Sequence, residues 1–161
     1  MLQTRVATPN DAALIATHRK AMFAAMQSAD EATLEIVRRN SEPWIVRMMR
    51  EDKYLGWITS EEAQPVASAG LLILDWPPLP LDPSGEQRGY LLNIFVEPDF
   101  RKRGIAHELV RLCLSEADRR HIGVVTLHAS DAGRSIYEGF GFRATSEMLL
   151  AKQHSGWPSR P

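Results

Sequence analysis

The segment from Leu91 to Leu109 constrains the fold more than any other. Leu91-Leu92-Asn93-Ile94-Phe95-Val96 has the make-up of a buried strand and stops at Glu97-Pro98, because proline has no N–H to give to a sheet ladder. Arg101-Lys102-Arg103 and Gly104-Ile105-Ala106 follow, and from Arg103 to Arg120 the apolar Ile105, Leu109, Leu112 and Cys113 recur on one side of a helix. A strand that enters a helix through a short basic turn gathers free N–H groups and the positive end of the helix dipole at one point. Gly104 and the small Ala106 let an anion approach the backbone closely. The arrangement suits a phosphate, with pyrophosphate the natural ligand, although basic turns of this kind are also common on solvated surfaces. The two-glycine Lys-Ser/Thr loop of ATP sites and the three-glycine dinucleotide fingerprint are both missing, which argues against ATP and NAD.

The rest of the chain alternates strands and helices around this junction. Strands are expected over Leu2–Ala7, Tyr54–Thr59, Val66–Leu74, Tyr90–Val96, Val124–His128 and Phe142–Leu150. Helices are expected over Ala12–Gln27, from Asp30 to about Arg50, over Arg103–Arg120 and over Ala132–Glu138, with Pro43 breaking or kinking the second. Between them, Asp75 to Gly89 carries Pro77, Pro78, Pro80, Pro83, Gly85 and Gly89 and reads as a long loop inside the domain. The order β-α-α-β-β-β-α-β-α-β belongs to an α/β protein with a mixed sheet. Residues 1–152 are read as one domain and 153–161 as a polar tail.

Composition narrows the function. A chain of 161 residues with formal net charge -1 has no global field for nucleic acid or an acidic membrane surface, and no apolar run is long enough to span a bilayer. Its single cysteine, Cys113, lies in an apolar stretch, forbids an internal disulfide and suits a reducing cytoplasm. It reads as a small core residue rather than a nucleophile. No Cys/His cluster has metal-ligand spacing, so no metal is expected. Arg101-Lys102-Arg103 lacks the interleaved aromatics of an RNA-binding patch.

The pattern Val96-x-Pro98-x-x-Arg101-x-x-Gly104-Ile105-Ala106-x-x-Leu109 resembles the signature of the GNAT superfamily of N-acetyltransferases, Arg/Gln-x-x-Gly-x-Gly/Ala at a strand-to-helix junction. Downstream, Leu127-His128-Ala129-Ser130 and then Ala132-Gly133-Arg134-Ser135-Ile136-Tyr137-Glu138-Gly139-Phe140-Gly141-Phe142 resemble the same family's strand, Asn or Ser, and Tyr-x-x-x-Gly-Phe ending. The resemblance covers nearly the whole chain in element order. It implies the GNAT (acyl-CoA N-acyltransferase) fold, a mixed, mostly antiparallel sheet with a splayed central strand pair flanked by helices.

The same resemblance implies acetyl-CoA as cosubstrate, with no metal, and a small-molecule or peptide amine as acceptor. The backbone of Ile94, Phe95 and Val96 would bond the pantetheine arm, as an added strand does. Backbone N–H groups from Lys102, Arg103, Gly104, Ile105, Ala106 and His107 would hold the pyrophosphate, with Arg101 to Arg103 as positioning charges. Ser130 stands where the family often has Asn against the pantetheine, and Gly133 and Arg134 begin the short helix over the coenzyme. Tyr137 would be the general acid that protonates the leaving thiolate.

The general base is where this chain departs from its better-understood relatives. The positions of Leu92 and Val125, which hold Glu in some of them, are apolar here. His128 is the nearest titratable candidate, since histidine titrates near neutrality, and His18 on the first helix is a second. Asn93 is suited only to orienting an acceptor or a water. The reading is therefore a cytoplasmic N-acetyltransferase acting by direct attack on an unidentified primary amine. The alternative is a catalytically weak coenzyme-A-binding sensor or partner-binding module. Neither reading needs a nucleic acid or membrane partner, and a homodimer is compatible with both.

Overall fold

The computed structural model describes residues 1–151. A five-stranded sheet in the order β1-β2-β3-β4-β5 is built from β1 Leu2–Val6, β2 Tyr54–Glu61, β3 Gln64–Asp75, β4 Gln87–Val96 and β5 Val125–Leu127. The first four run antiparallel to their neighbours, and β4 and β5 pair in parallel. Helices α1 Ala12–Ala25 and α2 Glu31–Arg50 connect β1 to β2, α3 Ile105–Arg119 connects β4 to β5, and α4 Arg134–Gly139 follows β5. Two apolar layers result. One joins Ala12, Ile15 and Ala16 of α1 to Ile45 and Met48 of α2 and to Tyr54. The other joins Ile105, Leu109, Val110, Cys113 and Ala117 of α3 to Val66, Leu71, Ile73, Leu91 and Val96 of the sheet. Helices thus cover both faces, and Cys113 is fully buried among side chains of the second layer.

Three expectations are corrected. Pro43 lies inside α2, yet the helix runs unbroken to Arg50. Pro43 is exposed, so the carbonyl left without its intrahelical donor is free to bond water, and the Asp30 carboxylate caps the start by accepting from Thr33 N at 2.7 Å. The loop between β3 and β4 is also shorter than 75–89. Asp75 pairs with Gln87, Leu74 with Arg88 and Ile73 with Gly89, and Trp76 N donates to Glu86 O at 3.0 Å to close the hairpin. Gly89 sits inside β4 because a side chain there would meet Val125 at 3.1 Å and Leu71 at 3.2 Å; the glycine lets β5 come alongside.

The third correction concerns Phe142–Leu150, which forms no strand. β5 offers only three residues, and Met148, Leu149 and Leu150 are 87%, 64% and 81% exposed. A strand with neither face covered gains too little to hold its place. The segment is tied instead by its Glu147 to Arg88 at 2.8 Å. The polar tail expected over 153–161 lies outside the described residues.

Candidate active site

β4 leaves β5 after three residue pairs: Gly89 with Val125, Tyr90 with Thr126 and Leu91 with Leu127. Beyond Leu91 the strand pairs with β3 at Leu92, Phe95 and Val96 but has no partner on the β5 side. At the point of departure the strand bulges. Asn93 takes a left-handed φ of 56°, and the register with β3 shifts between Ser68 and Gly70. Asparagine tolerates that conformation better than most residues, and a bulge re-aims side chains and bends the strand away from its neighbour. The splay expected between β4 and β5 is therefore present, and it leaves an open backbone edge along Leu92–Val96.

The edge leads into the basic turn. Pro98–Phe100 form a single 3-10 turn, after which Lys102 at φ 61° and Gly104 at φ 79° both adopt the left-handed region. The turn is held by its arginines. Arg101 Nε donates to Val96 O at 3.0 Å, and Arg103 reaches Glu61 of β2 at 2.7 Å while lying over the Phe100 ring. Among the described residues, none of the N–H groups from Lys102 to His107 donates to an acceptor in the chain. The first bond across the junction is Glu108 N to Gly104 O at 3.0 Å. Gly104 is required by its φ rather than by crowding, because the space where its side chain would stand is open. The Ile105 side chain is buried in the α3 layer and His107 stacks on Phe140 at 4.4 Å, so this junction offers a ligand its backbone.

α4 completes the surroundings. Ser130 starts it by accepting Gly133 N on its hydroxyl at 3.2 Å and Gly133 and Arg134 N–H groups on its carbonyl. Gly133 lies under Tyr137, whose ring would be 3.1 Å from any added Cβ. Tyr137 is half-buried, packs edge-on to Phe142 and adjoins the α3 layer. Burial raises its pKa, which keeps the hydroxyl protonated at neutral pH. That hydroxyl makes no hydrogen bond among the described residues, and Tyr137 lines a cavity together with Tyr90, His128 and Arg134.

On the α1 side of the sheet the structure assembles a polar group that local sequence patterns do not announce. Asn93, 1% exposed, donates from Nδ2 to Tyr54 Oη at 3.0 Å and accepts Arg19 NH1 on Oδ1 at 2.7 Å. Tyr54 lies across Gly70, where an added Cβ would collide with its hydroxyl. Burial pulls the Arg19 pKa down, while the nearby Tyr54 and Tyr90 phenols act against it. His18 bonds Ser68 Oγ at 2.9 Å, packs on Phe95, and burial lowers its pKa to about 4. His18 is thus a neutral core histidine, a poor candidate for a base. His128 is exposed at the end of β5, with Nδ1 in hydrogen-bond contact with Tyr90 Oη. Arg19, Tyr54, Ser68 and Tyr90 have no motif; their contacts join positions such as 19 and 93, or 90 and 128, that only the fold brings together. Among the described residues no group of three His, Cys, Asp or Glu stands close enough to hold a metal ion.

A splayed parallel pair thus leaves an open edge that meets unengaged N–H groups at a helix start. A family model described as an acetyltransferase (GNAT) domain matches residues 24–155, and the chain belongs to that family. It is similar in structure to a GCN5-related N-acetyltransferase from Ralstonia eutropha JMP134, at 32% identity and TM-score 0.88 over 94% of this chain and 99% of that one. A predicted acetyltransferase from Clostridium acetobutylicum, solved with acetyl-CoA, matches at 26% identity and TM-score 0.86 over 94% of this chain and 96% of that one. Human N-acetyltransferase 8 is 30% identical over 97 residues, 58% of this chain and 40% of the relative; the chain spans less than half the length of that protein. No helix among the described residues is long and apolar enough to cross a membrane.

Proposed function

We propose that this protein transfers the acetyl group of acetyl-CoA to a primary amine by direct attack, with both reactants bound together. The observation that carries the reading is the run of unengaged N–H groups from Lys102 to His107, placed where the open edge of β4 ends. Such a run satisfies pyrophosphate oxygens at the positive end of α3, and the edge from Ile94 to Val96 bonds an amide-rich arm as it would a strand. Acetyl-CoA supplies an activated acyl carbon as a thioester. Holding an amine beside that edge supplies much of the rate, since it replaces a bimolecular encounter with a fixed geometry.

Tyr137 is the proton donor in this proposal, because burial keeps its phenol protonated while the residue lines the same cavity as His128. His128 is the base, with Tyr90 steadying its ring through the contact at Nδ1. The test is calorimetric titration with acetyl-CoA, followed by an amine screen read as free-thiol release. Failure to bind at concentrations well above micromolar overturns the reading. Binding without thiol release for any amine would favour a coenzyme-binding module, the alternative that apolar Leu92 and Val125 support.

A further inference from the structure

Nearly every cation among the described residues is either matched or solvated. Arg5, Lys20, Arg38, Lys53, Arg88, Arg103, Arg111, Arg119 and Arg120 each have a carboxylate in ion-pair contact. The remaining arginines and lysines are exposed, with one exception among the described residues: Arg19 is half-buried on α1 and has no acidic partner. Residues 152–161 contain no Asp or Glu side chain to supply one. Of its five N–H donors, one is spent on Asn93 Oδ1. Its neighbours Asn93, Tyr54, Tyr90 and Phe23 are all neutral. A guanidinium withdrawn from water without a counter-charge is costly, and its planar fork matches a carboxylate.

We propose that Arg19 binds a carboxylate carried by the acceptor, so that the amine to be acetylated belongs to an amino-acid-like molecule. The inference rests on the acetyltransferase reading for what happens next, but not for the anion site itself. Asn93 is the bulged residue of the strand whose open edge runs from Leu92 to Val96; an acid held on Arg19 therefore lies beside the edge where acetyl transfer is proposed. One guanidinium among neutral groups balances a monoanion, which favours a carboxylate over a phosphate dianion. Asn93 acts as a positioning residue, since its accepted hydrogen bond and its own bond to Tyr54 fix where the fork points.

The test uses amine pairs that differ by one acidic group: phenylalanine with phenethylamine, methionine with 3-(methylthio)propylamine, lysine with cadaverine, and phosphoethanolamine with ethanolamine. Coenzyme A binding is measured first by calorimetry, and each amine is then titrated into the coenzyme complex and, separately, into the protein alone. The carboxylated member of at least one pair should bind roughly tenfold or more tightly, as a charge-assisted bidentate contact warrants. Arg19→Gln should erase that ratio and Arg19→Lys keep part of it, with coenzyme affinity unchanged in both. A merely structural arginine would weaken both members of a pair alike and leave the ratio intact, which overturns the proposal. Equal binding within every pair by the wild-type protein also overturns it, and a preference confined to phosphoethanolamine replaces the carboxylate with a phosphate. Loss of coenzyme binding in the wild type strikes the acetyltransferase reading instead, while the titrations without coenzyme still decide the role of Arg19.

Discussion

The junction before α3 and the polar group beneath α1 both adjoin β4, yet they are built on opposite principles. From Lys102 to His107 what is left unengaged is main-chain N–H; the side chains are turned to the core, to Glu61, to Phe140 or to solvent. Around Asn93 what matters is side chain, contributed by α1, β2, β3 and β4 through Arg19, Tyr54, Ser68 and Asn93 itself. A backbone site depends on φ and ψ and tolerates many substitutions so long as the shape survives. A side-chain site depends on identity at several distant positions. The first kind suits a cosubstrate shared by many enzymes, and the second suits an acceptor that must be told from its analogues.

Substitutions should separate the two regions. The largest effect is expected from Gly104→Glu, which puts a negative side chain and a strained φ where the proposed phosphate would approach. Coenzyme binding by calorimetry should vanish while the circular dichroism spectrum persists, and retained affinity would place the phosphates elsewhere. Tyr137→Phe comes next. The ring is kept, so coenzyme affinity should hold, while turnover falls by roughly 10²–10⁴-fold with less change in the Michaelis constant. Turnover within about twofold of wild type would remove Tyr137 from the chemistry.

Gly70→Ala attacks the other region. The new methyl would collide with buried Tyr54 and displace its hydroxyl from Asn93, costing about 1–3 kcal/mol in denaturant unfolding with coenzyme affinity preserved. An unchanged midpoint would show that Tyr54 moves aside freely. The smallest effect is a pH dependence. His18 titrates near 6.5 when unfolded and about 4 when folded, so below pH 6.5 the unfolded state binds the extra proton and stability falls as pH falls toward 4. Between pH 6 and 5 the slope should be about 1 kcal/mol per unit, and His18→Gln should flatten it; an equal slope in the variant would assign it to another group.

The sequence made the junction before α3 legible because its determinants are contiguous. Proline ends the strand, glycine sets the turn, and periodic Ile105, Leu109 and Cys113 bury one face of α3, all within a few turns of chain. Asn93 and His18 were visible as polar residues in apolar surroundings, but not as members of a network, since their partners are 25 to 74 positions away. The last strand failed for a related reason. Phe142–Leu150 alternates weakly, but a strand needs a neighbour long enough to hold it, and β5 supplies three residues. Pro43 misled in the other direction, because a rule about helix interiors is softened on a solvated face.

The short pairing of β4 with β5 also sets how the cleft should behave in time. β3 is paired on both sides at Ala67, Ser68 and Gly70 to Leu72, so amides in the middle of this strand should exchange with deuterium only when the whole sheet unfolds. Val125, Thr126 and Leu127 are held on one side only, by pairs with Gly89, Tyr90 and Leu91, and their amides should exchange through local openings far more often. Those pairs form the apex from which the two strands diverge. The angle of the cleft therefore rests on the weakest ladder in the sheet, and an arm bonded along Ile94–Val96 and α4 would slow exchange at β5 without touching its amides.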